Sequence, residues 1–324
     1  MSARQSRASG GAQSSLILAR RSTRRLSGEA FMEPADLLPP FIELAGASVP
    51  HRIVDIGARH ISGEPVYAPL LRGGEATIVG FEPDEGAVEE LNARKNPGDV
   101  YLPHAVGDGG RHTLHICAAR DMTSLLKPNP AAMEMFHGFP VWSEVVATQE
   151  IDTVRLDDVA ETEGATFLEL DVQGAELMIL QNAVERLRRA YVLHIEVEFL
   201  PLYEGQPLFS EIELFLRSQG YVLHRFTPMM SRVLKPLMLG NNVFAGMSQI
   251  VWSDAIFVRD FMRLDLLADD ELIGVAQIAH DCYRSADLAL RLLTEHDRRS
   301  GRNLARAYMF GLRHRAPREA AAVP

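Results

Sequence analysis

Hydrophobic positions between residues 164 and 199 change from strand spacing to helical spacing and back again. Leu168 and Leu170 alternate with polar neighbours up to Asp171, and a glycine, Gly174, follows. The next apolar positions fit one face of a helix over 177–187, and the last resume an extended pattern: Leu177, Leu180, Val184, Leu187, then Val192, Ile195 and Val197. This pattern predicts a strand-helix-strand unit whose two strands lie parallel in one sheet.

The same spacing predicts the remaining elements of an α/β fold. Strands are expected over about 52–56 and 77–81, then a third ending near Asp108 and an added one around 114–116. Helices are expected over about 34–45, 87–94 and 210–218. Two late strands, over 221–226 and 249–260, are close in sequence and indicate an antiparallel edge, and from Leu266 onward the pattern is helical.

Three segments follow from these patterns. Residues 1–30 are rich in Ser, Arg and Gly and carry six arginines against one acidic residue, Glu29, so we expect a disordered basic tail. Residues 31–262 form the predicted α/β domain, and 263–324 form a C-terminal helical extension. Within the domain, 120–150 is irregular and rich in Met and aromatic residues, which suits a flap over a pocket or an irregular segment that simply packs down.

Composition excludes several classes of protein. No segment approaches the roughly 18 apolar residues of a membrane span. Cys117 and Cys282 are far apart, so neither a disulfide framework nor a cysteine-rich zinc site is expected, and a reducing cytoplasm fits. The net charge of -10 argues against nucleic acid as a partner. Oligomeric state has no signal in the sequence.

Acidic residues stand at the predicted strand ends, where ligands bind in open parallel sheets. Asp55 and Gly57 end the first strand, Glu82 ends the second, and Asp171 ends the strand before Gly174. A carboxylate can accept both hydroxyl hydrogens of a ribose, but the loop after Asp55 lacks the G-x-G-x-x-G pattern that holds a pyrophosphate. This argues against a nicotinamide or flavin cofactor and favours a nucleoside without phosphates, such as S-adenosylmethionine.

Six motifs, in order over residues 50–260, carry a resemblance to a known family. They are VDIGA at 54–58, FEPD at 81–84, HAVGD at 104–108, SLLKPNP at 124–130, IDTVRLDD at 151–158 and LELDVQGAE at 168–176. Together they resemble the FkbM-type S-adenosylmethionine-dependent methyltransferases. Most are weak singly, whereas D-x-x-G-x-E after a strand with five companions in order is fairly specific.

The resemblance implies a class I methyltransferase (Rossmann-like) fold: a mostly parallel seven-stranded sheet with an antiparallel last strand. It implies O-methylation of a small-molecule or glycan acceptor, a sugar or a secondary metabolite. By it, Asp55 and Gly57 shape the loop at the methionine arm, Glu82 holds the ribose, Asp108 approaches the adenine, and Asp171 lies beside the transferring methyl group.

Catalytic candidates are Asp171, Glu196 and His60. Glu196 and Glu198 follow Asp171 on the next strand, and their oxygens also suit magnesium, although we favour a site without a metal. Asp171 could instead cap the N-terminus of the helix that follows Gly174. Asp55 could instead only hydrogen-bond the backbone of the loop after the first strand. His194 alternates with these glutamates in mid-strand, so a core histidine is the simpler interpretation. Acceptor contacts are expected from the 120–150 flap and from Tyr203 and Glu204.

One departure from the family pattern leaves two further functions open. After Gly57 the family usually continues Asn-x-Gly, whereas this chain has Arg59, His60 and a proline at 65. Arg59 would pair with the cofactor carboxylate or repel its sulfonium. The alternatives are a binding protein that keeps the fold without turnover, and an NAD(P)-dependent oxidoreductase, which the missing glycine-rich loop disfavours.

Overall fold

A computed structural model describes residues 38–58 and 64–315 of the chain. Its strands are β1 His51–Ile56, β2 Ala76–Phe81, β3 Val100–Leu102, β4 Ala105–Val106, β5 Arg111–Cys117, β6 Val145–Val154, β7 Phe167–Leu170, β8 Val192–Glu198, β9 Tyr221–Arg232 and β10 Gln249–Arg259. Its helices are α1 Phe41–Ala45, α2 Ala68–Arg72, α3 Glu85–Arg94, α4 Pro130–Met133, α5 Phe139–Trp142, α6 Glu176–Gln181, α7 Val184–Leu187, α8 Phe209–Ser218, α9 Asp269–Tyr283, α10 Ala286–Ser300 and α11 Leu304–Arg315.

Seven strands form the central sheet, in the order β3-β2-β1-β7-β8-β10-β9. The first five run parallel, and β10, the last strand of the chain, is antiparallel to both β8 and β9. This order is the one expected for a class I methyltransferase sheet, so the predicted fold class is confirmed. The strand order reverses between β1 and β7, and the crevice at such a switch point is where open α/β sheets bind ligands.

Helices cover both faces of this sheet. On one face, alternate residues of β1, β7, β8 and β10 pack against α1 and α9–α11 in a single apolar core that contains Ile53, Phe167, Val192 and Ile256. On the other face, the intervening residues of the same strands pack against α6–α8. The C-terminal helices α9–α11 therefore cover one face of the sheet. The boundary at residue 263 between the α/β domain and a C-terminal helical extension stays a prediction.

A smaller three-stranded sheet stands beside the central one. It has the order β4-β6-β5, in which β4 runs parallel to β6 and β5 antiparallel to it. β5 is the added strand predicted around 114–116. This sheet borders the irregular flap, which contains α4 and α5.

Three predicted elements differ in detail. The helix predicted over 177–187 is divided into α6 and α7, because the Asn182 side chain bonds the Met178 carbonyl (2.9 Å) and competes with continued helix. The third predicted strand is split into β3 and β4 around Pro103, which has no backbone N–H to donate to a neighbour. The helix predicted over 34–45 begins at Phe41, and residues 34–37 are outside the described part of the chain.

Candidate active site

The candidate site is at the carboxyl edge of the central strands. Asp55 in β1 is directly opposite Glu169 in β7, and Glu169 is opposite His194 in β8. Because side chains alternate along a strand, Asp171 shares the face of Glu169, and Glu196 shares the face of His194. The sheet thus collects carboxyl groups from neighbouring strands on one face near their ends.

Gly57 brings the end of β1 against the end of β7. Its φ is 99°, a conformation that side-chain-bearing residues rarely adopt. A Cβ atom at this position would overlap the backbone carbonyl oxygen of Asp171. The Asp171 amide donates to the Ile56 carbonyl (3.1 Å), and the Gly57 amide donates to the Phe81 carbonyl (3.1 Å). Only glycine permits this close approach of three strand ends.

Asp171 and Glu196 form a carboxyl pair bridged by Gln173. The Gln173 amide nitrogen donates to Asp171 Oδ1 (2.8 Å) and to Glu196 Oε2. The surrounding protein displaces water and raises the pKa of Asp171, although its side chain stays accessible to solvent, as expected at the floor of a cleft. Desolvation and the Asp171 charge raise the pKa of Glu196 well above its ordinary value. The pair therefore carries a proton on Glu196 while Asp171 accepts.

The loop after β8 and the start of the flap close over this pair. The Tyr203 hydroxyl lies 3.0 Å from Gln173 Oε1 and 3.2 Å from the Met122 carbonyl. Ser124 donates its hydroxyl hydrogen to the Gln173 carbonyl (2.7 Å), and Lys127 pairs with Glu204 (3.0 Å). The two segments predicted to contact an acceptor are therefore joined to each other.

A cavity of about 280 Å³ lies within the flap. Its lining combines apolar surface with one cation and one acid: Lys127, Pro128, Pro130, Met133, Glu134, Pro140, Ser143 and Val145. Behind it, Tyr203 packs with Met133, Phe136 and Phe139 in a small apolar cluster. The aromatic and methionine residues of 120–150 thus form a packed core for the flap, and the cavity opens beside it.

Asp55 is fully buried behind the site. Its carboxylate accepts a hydrogen bond from the Tyr67 hydroxyl and shares another with Glu169. Desolvation and the Asp55 charge raise the pKa of Glu169 well above its ordinary value, so Glu169 holds the proton. Tyr67 precedes α2, beyond the loop that follows β1. Asp55 therefore links β1 to the chain on the far side of that loop through side chains, and its predicted contact with the loop backbone stays a prediction.

Glu82 and Asp108 lie at two other strand ends. Glu82 follows β2 directly, is half-buried, and accepts a hydrogen bond from the Asp84 amide (2.8 Å). Asp108 lies in the exposed turn between β4 and β5, where it accepts from the Gly110 amide (2.8 Å) and bonds His112 Nε2 (2.7 Å). The hydrogen bond from His112 lowers the pKa of Asp108, which keeps the carboxylate ionised.

The two histidines singled out from sequence differ in outcome. His60, like Arg59, is outside the described residues, so its catalytic role stays a prediction. His194 is buried between the sheet and α9, with Nδ1 3.1 Å from the Tyr283 hydroxyl and Nε2 3.5 Å from Asp254. It therefore has the environment of a core histidine.

Glu176, the first residue of α6, accepts hydrogen bonds from the turn after Asp171. Its carboxylate accepts from the Gly174 amide (2.9 Å) and the Val172 amide (3.1 Å). Burial raises the pKa of Glu176 to about 7. This buried acid holds the backbone of the D-x-x-G-x-E motif in place.

The raised pKa of Glu176 predicts a dependence of stability on pH. The folded protein holds this proton up to about pH 7, whereas the unfolded chain releases it around the ordinary value of 4.5. The free energy of unfolding should therefore fall by roughly 3 kcal/mol as pH rises through that window, with the full contribution present below it. Urea unfolding at a series of pH values measures the slope. Glu176→Gln should flatten it, and an unchanged slope in that variant would refute the assignment; exposed Glu185→Gln is the matched control.

Within the described residues, no group of three or more His, Cys, Asp or Glu side chains is arranged to hold a metal ion. In the same part of the chain, no helix combines the length and apolar character needed to cross a membrane.

Sequence reasoning missed three members of this site: Gln173, Glu169 and Tyr67. The sequence could have indicated Glu169, because a residue two positions before Asp171 in an extended segment lies on the same face of the sheet. Gln173 lay inside the D-x-x-G-x-E motif but has an ordinary polar side chain. Tyr67 had no local signal, because its contact with Asp55 depends on the path of the loop between them.

Comparison with known proteins identifies the class of protein that this fold and site define. The sequence model of the methyltransferase FkbM domain matches residues 55–223, which is more than half of the chain. The chain therefore belongs to the FkbM methyltransferase family. A search of curated proteins gives no match.

Three solved structures are among those to which this chain is similar. Magnesium protoporphyrin IX methyltransferase from Synechocystis PCC 6803, with bound S-adenosylmethionine, is 12% identical; the match covers 66% of this chain and 72% of that one, with a TM-score of 0.32. A 16S rRNA (adenine(1408)-N(1))-methyltransferase mutant from Catenulisporales acidiphilia is 14% identical, covering 66% and 88%, with a TM-score of 0.31. TrmK of M. capricolum, bound to S-adenosylhomocysteine, is 8% identical, covering 84% and 96%, with a TM-score of 0.30.

Proposed function

We propose that this protein is an S-adenosylmethionine-dependent O-methyltransferase that acts on a hydroxyl of a sugar, glycan or secondary metabolite. The observation that carries the proposal is the Asp171–Glu196 carboxyl pair at the switch point of the sheet, where Gly57 brings the end of β1 into contact with Asp171. Membership of the FkbM family supports methyl transfer over the oxidoreductase alternative.

The residues at the strand ends suit the proposed cofactor. When bound, S-adenosylmethionine supplies an electrophilic methyl group on a positively charged sulfur. Carboxyl groups from β1, β7 and β8 suit that positive charge, and half-buried Glu82 would accept hydrogen bonds from ribose hydroxyls at the end of β2. Asp108 is ionised and exposed for the adenine amino group, and Gly57 keeps the loop after β1 close to Asp171. Asp55, enclosed by Tyr67 and Glu169, would act on the cofactor through the loop.

Asp171 is the proposed base. It would accept the hydroxyl proton of the acceptor, while bound S-adenosylmethionine would supply the methyl group to that oxygen and leave as S-adenosylhomocysteine. Because its pKa is raised, Asp171 is a stronger base than an ordinary aspartate, which favours proton transfer from a hydroxyl. Glu196 keeps its own proton and hydrogen-bonds Asp171, so the pair can take up one proton without placing two negative charges side by side.

The acceptor is proposed to approach through the flap. The cavity lies in the same flap whose residue Ser124 bonds Gln173, and Gln173 in turn bonds Asp171. The cavity lining of prolines and a methionine suits a carbon skeleton, and Lys127 and Glu134 suit polar substituents.

Calorimetric titration tests the cofactor first. The purified chain would be titrated in parallel with S-adenosylmethionine, S-adenosylhomocysteine and NAD, each with and without magnesium. Micromolar binding of the first two alone is the expected result and would justify screening hydroxylated acceptors. Binding of NAD alone would overturn the proposal, and binding of none would favour a fold-retaining protein without turnover, with the Arg59 segment as the suspected cause.

Glu82→Ala should weaken binding of S-adenosylmethionine by about 1 to 3 kcal/mol, because a charged acceptor of ribose hydroxyls is lost. The dissociation constants from calorimetry measure the change. Glu85→Ala, which removes an exposed acid from the first turn of α3, is the matched control. Equal affinities for the parent protein and Glu82→Ala would remove the ribose assignment.

A further inference from the structure

Gln173 lies in the turn between β7 and α6, and the proposed function gives it no chemical role. Its φ is 61°, in the left-handed region that favours glycine. A glutamine stays in this conformation only when its surroundings fix it there. The contacts that fix it are made with the Asp171–Glu196 carboxyl pair, with the loop after β8 and with the flap.

The side chain of Gln173 reaches the carboxyl pair and the loop after β8. Its amide nitrogen donates one hydrogen bond to Asp171 and one to Glu196, which uses both of its N–H groups. Its amide oxygen is 3.0 Å from the hydroxyl of Tyr203, which has no exposed surface. A planar amide with three partners has one orientation, so the Asp171 carboxylate is also held in one orientation.

The backbone of Gln173 reaches the flap. Its carbonyl accepts the Ser124 hydroxyl hydrogen (2.7 Å), and Ser124 Oγ in turn accepts from the Leu126 amide (2.9 Å). The Tyr203 hydroxyl also contacts the Met122 carbonyl (3.2 Å). The same residue therefore touches the carboxyl pair, the loop after β8 and the first residues of the flap.

We propose that Gln173 is a positioning residue that orients Asp171 and fastens the 122–126 segment of the flap to it. The use of Asp171 as a base rests on the proposed function, whereas the positioning concerns this chain's own contacts. Gln173 therefore fixes the distance and orientation between the flap and the base. A displacement of about 1 Å between reacting groups can lower the rate about 100-fold.

The charged groups around Asp171 make the role of Gln173 measurable. They are Glu169 in β7, Glu196 and Glu198 in β8, Asp254 in β10, Glu176 in α6 and Asp121 at the start of the flap. Desolvation and the charges of Asp254 and Asp121 raise the pKa of Asp171, while the hydrogen bond from Gln173 lowers it. Loss of the donor should therefore move the titration of Asp171 to higher pH.

Gln173→Met tests the proposal, because methionine matches the length of glutamine without its donor and acceptor. The first readout is the carboxyl carbon resonance of Asp171 against pH in protein labelled at aspartate, assigned as the resonance missing from Asp171→Asn. The second is backbone hydrogen exchange in residues 122–126. The variant keeps the backbone carbonyl that Ser124 bonds, but it removes the amide oxygen that holds the Tyr203 hydroxyl beside the Met122 carbonyl. We therefore expect the titration to move to higher pH and exchange in 122–126 to become about tenfold faster, the effect of losing the Tyr203–Gln173 hydrogen bond at ordinary strength.

Gln277→Met is the matched control: Gln277 is a buried glutamine in α9 whose oxygen accepts from the Val49 amide (3.2 Å). It should leave both readouts unchanged. Should Gln173→Met fail to fold, Tyr203→Phe removes one hydroxyl and should still give faster exchange in 122–126. Parent-like values for Gln173→Met or, in that case, Tyr203→Phe, or equal changes in Gln277→Met, would overturn the proposal. Neither readout uses cofactor or acceptor, so calorimetric failure to bind S-adenosylmethionine would count against the proposed function alone.

Discussion

Asp171→Asn is expected to lower kcat for methyl transfer about 10³-fold, because the amide cannot take the hydroxyl proton of the acceptor. Asparagine has the same shape, so the dissociation constant of S-adenosylmethionine should change far less than kcat. The measurement is the steady-state rate with an acceptor from the hydroxyl screen, together with calorimetric binding of the cofactor. A large loss in kcat with nearly parent affinity would assign proton transfer to Asp171.

Asp158→Asn is the control for this substitution, since Asp158 is an exposed aspartate whose carboxylate lies 4.0 Å from Arg155. It should retain the parent kcat. If Asp171→Asn retained a kcat within about threefold of the parent, methyl transfer would depend on positioning alone, as a reactive sulfonium allows. Asp171 would then be assigned to binding only.

Much of the fold follows from local pattern. β1, β7 and β8 have continuous or alternating apolar residues bounded by turn residues, and these strands are where the sequence predicts them. The antiparallel last strand followed from the family resemblance and is confirmed by the pairing of β10. Residues 177–187 were predicted less well, because helical periodicity does not register the competition of Asn182 with its own backbone.

The candidate site was partly predictable for a different reason. Parallel strands end at the same edge, so acids after β1, β7 and β8 were expected to lie close together, and the structure places Asp171 and Glu196 in one hydrogen-bonded group. Contacts that join separate segments had no such signal. The meeting of Ser124, Gln173 and Tyr203 depends on how the flap and the loop after β8 fold back, which no local spacing records.

The buried carboxyl groups link stability to the proposed function. Burial raises the pKa of Glu169, Glu196 and Glu198 well above their ordinary values, so the folded state retains protons at pH values where the unfolded chain has already released them. The free energy of unfolding therefore falls as pH rises. A positively charged ligand beside these groups would favour their ionised forms.

Gly57→Ala is expected to have the second large effect, on both stability and cofactor binding. The added methyl group would overlap the Asp171 carbonyl at a φ of 99°. The loop after β1 must then move away from β7, which removes the approach on which the site depends. We expect a loss of about 3 kcal/mol in the free energy of unfolding and about 100-fold weaker binding of S-adenosylmethionine. Urea unfolding and calorimetry measure the two effects.

Gly164→Ala separates the two causes of this effect. Gly164 has a φ of 74°, but a Cβ atom there would meet nothing within 4 Å. Its substitution therefore carries the conformational cost without the steric one, about 1 kcal/mol, and should leave cofactor binding unchanged. If both variants lost the same stability and neither lost affinity, glycine would be needed at position 57 only for its positive φ, and the overlap with the Asp171 carbonyl would have no effect. A larger loss confined to Gly57→Ala would show that the contact between the β1 loop and the Asp171 backbone holds the site together.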